Sequence, residues 1–134
     1  MLAAQRAALI VGQSGTGKSA LMWETARVSR HTVRWFEITR GNSLDAHLLI
    51  RFARSLRASS TAPVGFIFDD IGKGKAGLWD SLLGEARAGS GILLLGSIRE
   101  EDVFMLTTRS FAGEIRPTVE EVVAERIWQQ LSHQ

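Results

Sequence analysis

Two hydrophobic periods alternate along this chain, and their alternation predicts strands and helices in turn. Residues 7–11 are an unbroken apolar run, as expected of a strand buried on both faces. Residues 19–28 then read as a helix, and residues 32–38, Thr-Val-Arg-Trp-Phe-Glu-Ile, alternate as a strand. Ser43 is predicted to cap a helix whose apolar residues Leu44, Leu48, Leu49, Phe52 and Leu56 follow helical spacing. A loop of small residues, 58–63, leads to a third strand at 64–68 that ends in Asp69-Asp70. After a loop at 71–77, a helix carries Leu78, Trp79, Leu82, Leu83 and Ala86 and stops near Gly89. Residues 92–95 form a fourth strand, apolar on both faces. The pattern then weakens to a short helix at 101–107 and a short edge strand at 114–116. Pro117 and Thr118 open a last helix, with Thr118 and Glu121 as a capping box and Val119, Val123, Ile127 and Leu131 as its apolar stripe. The succession predicts a three-layer α/β/α sandwich with a mostly parallel sheet and a ligand at the carboxyl ends of its strands. Residues 1–117 are expected to form that core, with 118–134 a C-terminal helix beginning a helical subdomain.

The junction between the first strand and first helix reads Gly12-Gln13-Ser14-Gly15-Thr16-Gly17-Lys18-Ser19, a complete Walker A sequence. Its glycines permit positive φ, so backbone N–H groups can wrap toward phosphate oxygens at the positive end of the following helix. Lys18 is expected to reach the β- and γ-phosphates and Ser19 to ligate Mg²⁺, with residues 12–20, Ala20 included, lining the nucleotide. A plain glycine-rich turn is the competing reading, and the strand–loop–helix setting argues against it.

Gly65-Phe66-Ile67-Phe68-Asp69 fits Walker B, with Asp69 expected to hold Mg²⁺ opposite Ser19. Apolar strands often end in Asp at a turn, but the spacing from the first motif fits one intervening strand and two helices. Asp70 stands where a general base aligns an attacking water; being one methylene shorter than Glu, it predicts slow hydrolysis, or else it caps a turn. The fourth strand leads into Gly96-Ser97-Ile98-Arg99, where Ser97 is placed to bond a water or phosphate and Arg99 to pair with phosphate. The alternative for Arg99 is a surface ion pair with Glu100 or Glu101.

Composition narrows the field. The 134 residues, 45% apolar and 22% charged, suit one globular domain, and a net charge of +2 is too small to argue for nucleic acid. Only Lys18, Lys73 and Lys75 among the 16 basic residues are lysines, which favours bidentate contacts over diffuse charge. With no cysteine there are no disulfides or thiol chemistry, and without a leader or an apolar stretch near 18 residues a cytoplasmic protein that makes no membrane contact is expected. His31, His47 and His133 show no metal spacing. Trp23, Trp35, Trp79 and Trp128 are expected in a core or domain interface, Lys73 and Lys75 in a solvated loop, and Arg51, Arg54 and Arg57 on a solvated basic face paired with acids.

Walker A, Asp69-Asp70 and Ser97-x-Arg99 together resemble the additional-strand division of P-loop ATPases. Within it they look most like the STAND class, the NACHT and NB-ARC signalling ATPases. The phrase Gly91-Ile-Leu-Leu-Leu-Gly-Ser-Ile-Arg99 and the step from residue 114 into the last helix are similar to that class. The resemblance implies ATP and ADP as ligands with Mg²⁺, slow hydrolysis, homo-oligomerisation of the intact protein, and further domains of a larger parent. Preference for ATP comes from the resemblance, since no Asn-Lys-x-Asp guanine signature is present. The alternatives are an AAA+ motor or DNA-associated loader, with Arg109 or Arg116 as an arginine finger, and a nucleotide-binding module without turnover. A small-molecule kinase is disfavoured by the lack of an Arg-rich lid.

Overall fold

The computed structural model describes residues 6–13, 17–107, 113–115 and 124–132. Five strands are present: β1 (Ala7–Gly12), β2 (Arg34–Glu37), β3 (Val64–Phe68), β4 (Ile92–Arg99) and β5 (Gly113–Ile115). Four α-helices accompany them: α1 (Lys18–Val28), α2 (Ala46–Ser55), α3 (Ala76–Arg87) and α4 (Ala124–Ser132). Short 3₁₀ turns cover Ser43–Asp45 and Glu100–Met105. The sheet order is β2-β3-β4-β1-β5 and every pairing is parallel. The expected α/β sandwich with a parallel sheet is therefore the fold. β4 lies between β1 and β3, so the chain leaves the centre after β1, crosses to the edge at β2, steps back inward to β3, and fills the gap beside β1 with β4.

That insertion explains why the three central strands are the most apolar. Each has a strand on both sides and a layer of helix on both faces, so only the strand ends at Gly12 and Arg99 meet water. Every residue of β3 is buried, as are β1 from Ala7 to Val11 and β4 from Ile92 to Ile98. One face packs with α2 and α3 around Phe66, Phe68, Trp79, Leu82 and Leu94. The other packs Ala8, Ile10, Ile67 and Leu95 against Met22 of α1 and Ile127 and Leu131 of α4. Two glycines make room for large rings. A Cβ on Gly96 would stand 2.7 Å from the Trp79 ring, and one on Gly65 would stand 2.2 Å from that of Trp35, its partner in register. The space Gly96 leaves lets Trp79 meet Phe68 edge-on, with centroids 5.4 Å apart.

Several expectations change. Asn42, not Ser43, caps the second helical segment: its side chain accepts from the Leu44 N–H, and its own N–H donates to Asp45. Helical spacing in α2 does not carry its apolar residues inward as one stripe. Small Ala46 and Ala53 take the contact line, and Leu44, Leu48 and Phe52 stand exposed at 77%, 52% and 39%. Trp23 is likewise exposed, Trp35 and Trp128 are half-buried, and Trp79 alone of the four is fully buried. β4 runs on past Leu95 to Arg99, since Gly96 and Ser97 continue the pairing with β1. The expected cap at Thr118 and Glu121, with Val119 and Val123, lies outside the described residues, as do Arg109, Arg116, Pro117 and His133. No described helix is long and apolar enough to cross a membrane.

Candidate functional site

The carboxyl ends of β1, β3 and β4 converge beside the start of α1. They border a cleft of about 310 Å³ lined by Gly17, Lys18, Ser19, Ala20, Asp69, Asp70, Ser97 and Arg99. Parallel pairing puts these residues together although they span more than 80 positions, because every strand delivers its last residue to the same edge. Gly12 ends β1, in register with Arg99, and Gln13 follows it. Gly17 sits at φ +80, in the left-handed region glycine adopts without strain, and turns the chain into α1. Ser14, Gly15 and Thr16 lie outside the described residues.

Asp69 is the hub of the cleft. Its Oδ1 accepts from the Ser19 hydroxyl at 2.8 Å and from the Ser97 hydroxyl at 2.8 Å. Ser19 is the second residue of α1 and Ser97 belongs to β4, so one carboxylate oxygen links three elements. Ser97 also accepts from the Asp70 N–H at 2.8 Å, and with 1% exposure it is fully buried. Its hydroxyl therefore braces the two acids from behind instead of pointing freely at a phosphate. Lys18 extends from the first turn of α1, and its Nζ donates to the Gln13 carbonyl at 2.6 Å. Among the described residues no acid forms an ion pair with that ammonium.

Asp70 has a different environment from its neighbour. Its φ of +53 is left-handed, a conformation that Asp and Asn tolerate and longer acids avoid. The backbone thus gives a reason for the shorter acid here that is independent of any reach toward water. Its Oδ2 lies 3.7 Å from Arg99 Nη2 and 3.5 Å from Lys73 Nζ, while its buried Oδ1 has no hydrogen-bond partner. Arg99, expected to face phosphate or else pair with Glu100 or Glu101, pairs with Asp70 across the cleft. Exposed Lys73 fits the expected solvated loop, but Lys75 does not. It is buried at 8% exposure, and its Nζ donates to the Asp69 carbonyl. The sequence signal for it was weak: a lysine six residues past Asp69, in a glycine-rich turn, reads as surface until the chain is seen folding back on itself.

The site can accommodate a polyanion with a hard divalent cation. Ser19 and Asp69 supply oxygen donors suited to Mg²⁺, Lys18 supplies a cation at a helix start, and the orphaned Asp70 Oδ1 is an acceptor open to a donor. No cluster of three or more His, Cys, Asp or Glu residues poised to hold a metal unaided occurs among the described residues.

No protein-family model and no curated protein matches the sequence. Among solved structures, the chain is similar to C. elegans PCH-2, an AAA+ ATPase, with a TM-score of 0.55 and 15% identity. The match covers 84% of this chain and 35% of that one, so this chain spans about a third of that length. At such identity the likeness is one of fold. What the two share is the α/β arrangement of helices about a mostly parallel sheet. Nothing in the likeness is particular to the STAND class.

Proposed function

We propose that the cleft binds ATP or ADP with Mg²⁺ and that the chain is the nucleotide-binding core of an AAA+-related ATPase. The observation that carries this reading is the Ser19–Asp69 contact at the mouth of the cleft. It brings the last residue of the Walker A sequence to the acid that ends β3, beside Lys18. In this reading Gly12, Gln13, Ser14, Gly15, Thr16, Gly17 and Ala20 wrap the phosphates, Lys18 pairs with them, and Ser19 and Asp69 hold the metal. Mg²⁺ would supply charge neutralisation on the phosphates. Ser97 positions both acids, Asp70 is the group nearest the role of base, and Arg99 exchanges its Asp70 contact for phosphate.

The STAND-type switch remains the finer proposal, supported by Asp69-Asp70 and Ser97-x-Arg99, and it predicts slow turnover. Asp70 supports slow turnover independently. Its carboxylate is near two cations and fixed by a left-handed backbone, and neither feature makes it a free base. The fold likeness favours the second reading, a self-assembling AAA+ motor. Homo-oligomerisation and further domains of a longer protein belong to both.

Calorimetry on three proteins tests the binding step. Lys18→Ala should lose on the order of 2–3 kcal/mol of ATP affinity, roughly 30- to 150-fold, while remaining folded. Asp69→Asn should weaken Mg²⁺-ATP more than metal-free ATP, because only the metal complex uses that carboxylate. Unchanged affinity in Lys18→Ala removes the nucleotide reading. Phosphate release measured over a wide range of protein concentration separates the two finer readings: flat and slow supports the switch, and a steep rise supports the motor.

A further inference from the structure

The phosphate cleft uses nothing of the sheet's outer margin at β2, and that margin has an unusual build. β2 is the last strand of the sheet on its side. Arg34 N–H donates to the Pro63 carbonyl and Ile38 N–H to that of Ile67. By alternation, the backbone groups of Trp35 and Glu37 point away from the sheet, where no described strand meets them. Such edges are commonly blunted by charge, proline or a covering element. This one is instead flanked by aromatic surface on both faces. On one, Trp35 is fixed by its indole N–H on Ser29 Oγ at 2.8 Å and lines an open groove of about 440 Å³ with the exposed Trp23. On the other, Phe36 meets Phe52 edge-on at 4.9 Å, beside the exposed Leu48.

The charge around the margin is mostly positive, although Glu37 also lines the groove. Residues 21–57 hold seven arginines against three acids, and of the acids Asp45 is engaged in its helix cap. Arg30 lines the Trp23–Trp35 groove, and the exposed Arg51 follows Leu48 by three positions on α2. Among the described residues, none of Arg30, Arg51, Arg54 and Arg57 forms an ion pair.

We propose that the β2 edge is a docking site for an acidic, extended segment of a partner protein. The segment adds as a strand beyond β2, sets alternate apolar side chains on the Trp23–Trp35 and Phe36–Phe52 faces, and turns its carboxylates toward the arginines. Main-chain bonds to Trp35 and Glu37 provide affinity, and the two aromatic faces and the charge provide selectivity. A second copy fits poorly, because pairing two β2 edges sets arginine-rich margins against each other. Nucleic acid fits poorly as well, since phosphates gain nothing from Leu48, Phe36 or the outward carbonyls.

The test uses the full chain and a labelled peptide of about eight residues, a length typical of a strand, with a central run of valines that meets both faces and glutamates flanking it at each end. Anisotropy measures binding and amide exchange locates it, each with and without Mg²⁺-ATP. The expected result is slowed exchange at Trp35 and Glu37, and affinity that falls with salt and falls about tenfold in Arg30→Glu and Arg51→Glu. Glu37→Pro, which removes an outward N–H and no bond to β3, should abolish binding; the two exposed arginine variants keep the test decisive if that protein does not fold. The proposal is overturned by any of four results: no protection of these amides at about 1 mM peptide, a free energy near −4 kcal/mol; equal binding of a lysine-for-glutamate peptide; oligo-dT protecting the same amides; or dimerisation of the chain through this edge. None of those results bears on nucleotide affinity, which is read separately at the cleft.

Discussion

β3 and β2 are adjacent parallel strands, and both carry large apolar side chains, yet every residue of β3 is buried and none of β2 is fully so. The difference comes from position. β3 has β4 on its far side and helices above and below, whereas β2 has only β3 and the flanks of α1 and α2. The same contrast separates α3, with five buried residues, from α2, whose buried residues are two alanines. Apolar content therefore reports burial only where the sheet has another strand to offer. At the margin Trp35 and Phe36 stay part-exposed, and surface of that kind invites a partner.

The largest effect that would sharpen this contrast is expected at Trp79. It is fully buried against Phe68 and over Gly96, so Trp79→Ala leaves a cavity that close-packed strands cannot collapse to fill. The expected loss is about 3–5 kcal/mol in urea unfolding, a large part of the stability of a domain this size. The corresponding change at the margin, Trp23→Ala, should cost less than about 1 kcal/mol. Similar losses at the two positions would dissolve the distinction between centre and margin.

How much of this was legible in the sequence follows the same line. β1, β3 and the run from α1 into the cleft were readable because buried parallel strands are unbroken apolar runs, and the Walker A glycines mark where the first one ends. Asp69 and Asp70 follow β3 directly, where the same kind of apolar run ends. Asn42 was missed because both Asn42 and Ser43 are good caps, and the Leu44 N–H on the Asn42 side chain, with the Asn42 N–H on the Asp45 carboxylate, chooses between them. The exposure of Leu44, Leu48 and Phe52 was not legible, because helical spacing shows that residues share a face and not which way it points. Ser97 was found, but its direction was not, since its hydroxyl answers to Asp69 and the Asp70 N–H, residues 28 and 27 positions away. Asp70 against Glu was read as a matter of reach, and the positive φ shows a backbone reason that no pattern of residue types displays.

A middle-sized effect is expected at Lys75, which belongs to the centre although its sequence looks like margin. Its buried ammonium bonds the Asp69 carbonyl and holds the turn that presents both acids. Lys75→Met keeps the volume of the stem and removes the donor, leaving that carbonyl short of a partner. We expect about 1–3 kcal/mol of lost stability. Mg²⁺-ATP should weaken more than metal-free ATP, because the displaced turn carries the metal's carboxylate. Lys73→Met, two residues away and exposed, should change stability by less than about 0.5 kcal/mol. Urea unfolding and calorimetry on the pair check this, and equal behaviour of the two lysines would place Lys75 in solvent with Lys73.

The smallest effect is expected at Leu48, and its smallness is what makes it informative. Leu48 lies within α2 with half its surface open, at 52% exposure, on the side of the helix away from Ala46 and Ala53. Leucine and glutamine have nearly the same helix propensity, so Leu48→Gln leaves the backbone preference of α2 untouched. The only losses are the side chain's partial burial beside Phe52 and a patch of apolar surface facing water. The first destabilises slightly and the second does not destabilise at all, so unfolding should shift by less than about 0.5 kcal/mol. Leu49→Gln, the next residue and half-buried in the core contacts of α2, should cost several times more. A helix whose whole apolar set faced the core would lose comparably at both positions. Measured unfolding midpoints of the two variants decide which description holds, and a loss above about 2 kcal/mol at Leu48 would show that the β2 margin is core after all.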